Sequence, residues 1–329
     1  MKGMINKGTL TALLAAQLVA VGVLLAAKSG GIEEPEPFLA FDAEAVDAIT
    51  VSNAEGTVTV TKVDGDWQLP DSVPAASLKV ESVIEKFADM SGSWPVANTG
   101  SSRERFEVTE ENHQRHVVLK AGEDTVADFY LGTSPGFRKT HARRTDDGDV
   151  YAVPFSNYEA GPKTSDWLEK SLLRPNGALN AIGRQDSFEL TKQEDGGWVS
   201  VDGTELDPGK VETLVGRFKG LSAVDVSDAV LPETPTAVLT LTDDDGVLTF
   251  TLYALADGEE YVATSDRVPG AYEIAKYIGE QMDKTLADLV PDPPEEEVDA
   301  ASVDETSADE PVEAVEAAET DAAETTEDA

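Results

Sequence analysis

Residues 61–87 read TKVDGDWQLPDSVPAASLKVESVIEKF, and residues 191–218 read TKQEDGGWVSVDGTELDPGKVETLVGRF. The two stretches share more than a flavour. Trp67 is followed 12 residues on by Lys79-Val80-Glu81 and 20 on by Phe87, and Trp198 is followed 12 on by Lys210-Val211-Glu212 and 20 on by Phe218. A fixed spacing of this kind is the mark of a duplicated structural unit. It predicts two copies of one fold, with Trp67 equivalent to Trp198 and Phe87 to Phe218. In each copy the Trp should lie buried against the helix that carries the Phe.

Working outward, Val46–Ser52 and Thr57–Val63 alternate apolar and polar residues and are rich in β-branched side chains, which predicts strands. Asp64-Gly65 is a hairpin signal, and Trp67 opens the next strand. A helix follows Pro74, with Leu78, Val83, Ile84, Phe87 and Met90 as its apolar face. Four more strands are predicted at His116–Lys120, Val126–Leu131, Arg138–Arg144 and Val150–Val153, and a short helix around residues 166–172 closes the unit. Arg174-Pro175-Asn176-Gly177 is a break, after which the series repeats. Strands are expected at Leu179–Gly183, Phe188–Lys192 and from Trp198, then a helix capped by Asp207-Pro208 with Val211, Leu214, Val215, Phe218 and Leu221 inward. Strands at Ala237–Thr242, Leu248–Ala254, Glu260–Thr264 and Ala271–Ile274 and a helix over Ile278–Leu289 complete it. Glu169-Lys170-Ser171-Leu172 is echoed by Asp283-Lys284-Thr285-Leu286. The stretch from Phe87 to Val118 is longer than that from Phe218 to Val238, which places an insertion in the first unit. The expected architecture is α+β: two tandem copies of a mainly antiparallel β-sheet module with packed helices, over residues 44–173 and 178–290.

The flanks differ in character. Residues 8–27, GTLTALLAAQLVAVGVLLAA, carry no charge, and 15 of the 20 are Ala, Leu or Val. As a helix this run is about 30 Å long, enough to cross a bilayer. Lys2 and Lys7 precede it and Glu33, Glu34 and Glu36 follow soon after Lys28. That asymmetry predicts a cytoplasmic segment 1–7, a transmembrane anchor 8–27 and a domain facing the periplasm or exterior. A cleaved signal peptide is the alternative, although the run is long for one and Leu25-Ala26-Ala27 fits a cleavage site poorly. Residues 28–43 read as a Gly/Pro/Glu linker. Residues 291–329 hold 16 acids and no Lys or Arg, a composition that predicts a disordered tail.

Charge and cysteine content exclude several functions. The chain has 64 acidic and 25 basic residues and no cysteine. Nucleic-acid binding needs clustered cations, which this surface lacks. Disulfides, thiolate metal sites and thiol catalysis are absent.

The order of elements, together with Trp67, Arg105-Phe106-Glu107-Val108-Thr109, Leu131-Gly132, Tyr151-Ala152-Val153 and Asp166-Trp167-Leu168, resembles a family of bacterial envelope proteins called domain of unknown function 4340. The resemblance covers roughly residues 44–290. It implies an accessory component found beside ABC transporters of the gliding-motility type. It implies no catalytic residue and no cofactor.

The chemical candidates are few. His113 and His116 are three apart, but His116 runs into a strand pattern and no third ligand stands at a fitting offset. Gly161-Pro162-Lys163-Thr164 lacks the Gly-Lys adjacency of a phosphate loop. Asp243-Asp244-Asp245-Gly246 lacks the alternating aspartates of a calcium loop and suits a hairpin turn. The densest basic stretch is Arg138–Arg144. On a strand it places Lys139, His141 and Arg143 on one face. That face is a docking candidate for an anionic partner, or else pairs with the module's own carboxylates. The function expected is a membrane-anchored, non-catalytic envelope scaffold or accessory of a membrane protein complex, in the cytoplasmic membrane, with no metal and no nucleic acid. A binding module for an envelope polymer or small ligand between the two units, and a hydrolase without a recognisable motif, stand as alternatives.

Overall fold

The computed structural model describes residues 36–92 and 94–293, and residues 14, 16–21 and 23 before them. The first repeat runs β1 (Ala48–Ser52), β2 (Thr57–Val63), β3 (Asp66–Leu69), β4 (Val73–Pro74), helix α1 (Ser77–Ala88), helix α2 (Gly100–Arg105), β5 (Arg115–Ala121), β6 (Asp124–Leu131), β7 (Thr140–Arg144) and β8 (Tyr151–Val153). The second runs β9 (Ala181–Arg184), β10 (Phe188–Lys192), β11 (Trp198–Ser200), helix α3 (Pro208–Lys219), β12 (Ala223–Val226), β13 (Ala237–Asp243), β14 (Gly246–Leu255), β15 (Glu260–Ser265), β16 (Val268–Ile274) and helix α4 (Lys276–Met282). Each repeat is an eight-stranded antiparallel sheet. The strand orders are β4-β3-β2-β1-β5-β6-β7-β8 and β11-β10-β9-β13-β14-β15-β16-β12. Without the edge strands β4 and β12, the two orders are the same.

Strand register identifies the equivalent residues one by one. In the first sheet Ile49 faces both Val60 and Leu119, and Lys62 faces Trp67. In the second, Ile182 faces both Leu190 and Leu241, and Lys192 faces Trp198. Both tryptophans thus sit across from a lysine two residues beyond a buried aliphatic residue. The helices match as well. α1 buries Val80, Val83, Ile84 and Phe87, and α3 buries Val211, Leu214, Val215 and Phe218. Phe87 meets Phe129 edge-on at 5.2 Å, and Phe218 meets Phe250 edge-on at 5.9 Å. Each helix is therefore nailed to its sheet through the same aromatic pair, a contact commonly worth about 0.5–1.5 kcal/mol beyond the area it buries.

One continuous apolar core runs through both repeats. The joint is specific. Ala223 N–H donates to Lys170 O at 2.9 Å, and Arg174 Nε donates to Leu221 O at 2.6 Å. The short 174–177 segment is thereby sewn to the second repeat.

Several sequence expectations need correction. The closing helix around 166–172 is a 3-10 turn, Thr164–Asp166, and the final helix is split into α4 and a 3-10 turn at Leu286–Asp288. Those two turns are each other's counterparts, because both carry an Asp at the third position that caps the turn's start: Asp166 for Lys163, and Asp288 for Thr285. Trp167 O accepts from Ala76 N–H at 2.8 Å, and Leu289 O accepts from Asp207 N–H at 2.8 Å. Asp166-Trp167-Leu168 therefore matches Asp288-Leu289-Val290, and the 169–172/283–286 echo is coincidental in register. Leu78 is 85% exposed, and Val80 takes the inward place assigned to it. Strand β7 starts at Thr140 rather than Arg138, since the turn before it needs a positive φ at Arg138. The insertion folds as α2 and a loop over the outer face of β5–β7, with its own small core of Val108, Tyr130 and Val150. Most of the expected span 8–27, and the acidic tail beyond Pro293, lie outside the described residues. Among the described residues no helix is long and apolar enough to cross a membrane.

Candidate functional site

His141 and Arg143 lie two apart on β7, which begins after Lys139, and the insertion covers them. His141 is 7% exposed, stacked on Phe106 at 4.0 Å, with its Nδ1 3.0 Å from Thr133 Oγ1. Burial pushes its imidazole below the ordinary value, and the Thr133 contact offsets this only in part. His141 is therefore a neutral, packed ring at neutral pH. Arg143 lies over Tyr130 at 4.9 Å and donates to the carbonyls of Val108, Arg144 and Asp147 at 2.6, 3.1 and 2.9 Å. Its guanidinium holds the insertion onto the sheet. Lys139 stays exposed.

Lys139 opens instead onto a groove of about 660 Å³ at the end of the first sheet, walled by the 134–139 turn and the 156–159 segment. Two large aromatics stand at its rim, Phe137 at 87% and Tyr158 at 94% exposure. Two exposed rings on one groove mark a candidate contact surface. The cations are Arg115, Arg138 and Lys139. Arg138 lies over the Phe137 ring at 5.1 Å, and Arg115 is anchored by Nε to Ala160 O at 2.9 Å. Ser134 Oγ lies 2.7 Å from both the Gly136 and Lys139 carbonyls, which fixes the turn. Asn157 Nδ2 donates to Gln114 Oε1 and Gly132 O, both at 2.8 Å, while its Oδ1 is buried with no hydrogen-bond partner among the described residues. The groove thus offers cations and aromatic faces at the rim. Sequence reasoning found Lys139 and missed Phe137, Tyr158, Arg115 and Asn157. The available signal was two aromatics placed in turns, outside any strand period.

The repeat anchors make a second, paired feature. Lys62, Trp67, Glu81, Ile84 and Glu85 line a cleft of about 250 Å³ between strand and helix in the first repeat. Lys192, Trp198, Glu212, Val215 and Gly216 line its counterpart, of about 400 Å³, in the second. In the first repeat the 3-10 turn Ala43–Ala45 lies across the cleft, Lys62 sits 5.6 Å over the indole, and Trp67 is 2% exposed. In the second, Trp198 is only half-buried. The duplication therefore holds in topology, and the two tryptophans differ in cover. The cause is the entry path. Asn176 and Ala178 bond to Asp243, Asp244 and Asp245, so the chain reaches β9 from the hairpin side and leaves the cleft uncovered.

The remaining candidates have structural work. His113 Nδ1 is 3.0 Å from Thr109 O, and His116 Nε2 is 2.7 Å from Asp128 Oδ1. Tyr130 packs against both rings, at 5.2 and 4.6 Å. Among the described residues no group of three or more His, Cys, Asp or Glu side chains could hold a metal. Asp243 is 4% exposed and receives Arg267 through both its oxygens, at 2.5 and 2.8 Å, so the aspartate turn is a hairpin locked by a buried ion pair. Gly161 must be glycine, because a Cβ there would lie 1.9 Å from Asp166 Oδ2, the carboxylate that caps the Lys163 turn.

A family model described as Domain of unknown function (DUF4340) matches residues 67–231, from the first repeat tryptophan through β12. No curated protein and no solved structure matches the chain.

Proposed function

We propose that this chain, which belongs to the DUF4340 family, is a membrane-anchored, non-catalytic scaffold of a membrane complex in the bacterial envelope. Its duplicated domain is held outside the cytoplasm by the apolar run 8–27. Its partner is a membrane protein, of which an ABC transporter is the specific form proposed. The observation that carries this reading is the groove of Phe137, Arg138, Lys139, Asn157 and Tyr158. Exposed cations bind a carboxylate, and exposed aromatics take apolar area. An acidic peptide segment of a partner supplies both. On a chain of 64 acids and 25 bases most of the surface repels an acidic segment whereas a basic groove attracts one, which favours docking at the groove.

Charge reversal tests it. Arg138→Glu with Lys139→Glu leaves the core untouched, because neither side chain is part of it. Membranes solubilised gently from cells should release the wild-type chain in a large complex and the double variant mostly free. Equal sizes for the two proteins would remove the groove from the account. The envelope-polymer alternative would place the ligand between the repeats, whereas the groove and both tryptophan clefts each lie within a single repeat.

A further inference from the structure

The two tryptophan clefts share a frame and differ at two positions on the helix that walls them. Lys62 and Lys192 occupy one place by register, and Glu81 and Ile84 of α1 correspond to Glu212 and Val215 of α3. Glu85 of α1, however, is Gly216 in α3, and Ala88 is Lys219. Gly216 and Lys219 both line the second cleft.

The fold gives Gly216 no reason to be glycine. It is exposed in the interior of α3, and a Cβ there would meet nothing within 4 Å. Glycine in a helix interior costs stability relative to alanine or glutamate. What it supplies is bare backbone at the wall of the cleft, where the first repeat has a glutamate. The charge changes too. Glu44, Glu81 and Glu85 stand around the first cleft with Lys62, three carboxylates to one cation. Lys192 and Lys219 stand around the second with Glu212, two cations to one carboxylate. The ammonium groups of Lys192 and Lys219 have no ion-pair or hydrogen-bond partner among the described residues.

We propose that the Trp198 cleft is a second docking site, whose occupant is a short acidic turn of small residues from a partner protein. The first repeat shows what fits such a cleft. There the turn Ala43–Ala45, capped by Asp42, lies across it and leaves Trp67 2% exposed. The second repeat keeps the indole and the aliphatic residue beside it, lacks that turn, and replaces a glutamate by an opening. Trp198 and Val215 receive small apolar side chains, the lysines receive carboxylates, and Gly216 lets the incoming backbone approach the helix. This site lies in the second repeat and the Phe137 groove in the first, so each stands or falls alone.

The test probe is a synthetic peptide of the first repeat's own lid, Ala40-Phe41-Asp42-Ala43-Glu44-Ala45-Val46, titrated into the full chain carrying fluorotryptophan. The fluorine resonance lost in Trp198→Phe should shift and saturate. Replacing the peptide's two acids by Asn and Gln should weaken binding about tenfold, the worth of two exposed ion pairs, as should Lys192→Glu with Lys219→Glu in the chain. Gly216→Glu, which restores the first repeat's residue, should abolish the shift while the unfolding midpoint stays level or rises. Arg138→Glu with Lys139→Glu should leave the shift intact. A Trp198 resonance that never moves, or that moves equally with the uncharged peptide or in Gly216→Glu, overturns the proposal. So does a lowered midpoint in Gly216→Glu, which would make the glycine structural, or a shift lost in the Arg138 and Lys139 variant. A Trp198 resonance that moves on concentrating the chain alone would assign the cleft to a second copy and overturn it as well.

Discussion

Trp67 and Trp167 are both buried, yet their indole N–H groups fare differently. Trp167 Nε1 donates to Gly161 O at 2.8 Å, whereas Trp67 Nε1 is buried with no partner among the described residues. A buried unpaired donor costs about 1–3 kcal/mol, and a satisfied one stabilises by about 1. Trp67→Phe should therefore destabilise less than Trp167→Phe, by about 1–3 kcal/mol in denaturant titration; the reverse order would contradict the assignment of the two N–H groups. Asp243 gives a pH signature. Its hydrogen bonds from Arg267, aided by the Asn176 and Asp245 N–H groups, hold its pKa down to about 2 against burial. The folded pKa lies below the unfolded one, so the ion pair's stabilisation is present above about pH 4 and is lost as pH falls toward 2. Asp243→Asn should cost about 2 kcal/mol at pH 7, and the gap to wild type should narrow steadily below pH 4. A gap independent of pH would mean the pair does not govern that turn.

At the scale of elements, the sequence repeat proved the better guide where it rested on spacing, and the weaker one where it rested on local resemblance. The Trp-to-Phe interval is set by a strand that must meet a helix, so geometry holds it fixed, and the register of Lys62–Trp67 and Lys192–Trp198 returns it intact. The strands were legible because a half-buried sheet enforces a period of two. The 3-10 turns were not, since four residues of Glu-Lys-Ser-Leu type carry no geometric requirement, while the capping aspartates 166 and 288 do. Strand β12 and helix α2 were missed because each is short and pinned by tertiary partners rather than by its own pattern. The alternation argument needs a strand from Arg138, whereas β7 begins at Thr140, and nothing in it reveals the roof over His141 and Arg143. The clefts lead to a measurable asymmetry. Trp67→Ala should cost about 3–5 kcal/mol, and Trp198→Ala, which leaves a half-buried site, should cost less. Because one core spans both repeats, each variant should still unfold in one transition. Two separate transitions, or equal costs, would mean that the repeats are independent and equally covered.

At the scale of the whole molecule, duplication has been followed by division of labour. The first repeat gained an insertion that roofs its outer face and a groove with exposed aromatics; the second kept an open cleft beside the chain's exit. Among the described residues no cluster of metal ligands exists, and His113, His116, His141 and Arg143 make hydrogen bonds within the first repeat. The groove of the first repeat is proposed to meet a partner in the envelope. The most direct measurement is in-cell crosslinking from a photoreactive amino acid placed at Tyr158, which is exposed and outside the core, with the same group at Val230 on the second repeat as control. The account predicts that Tyr158, and not Val230, captures one membrane protein, and that Arg138→Glu with Lys139→Glu abolishes the capture. Recovery of the chain alone from both positions, or a product indifferent to those two charges, would contradict it.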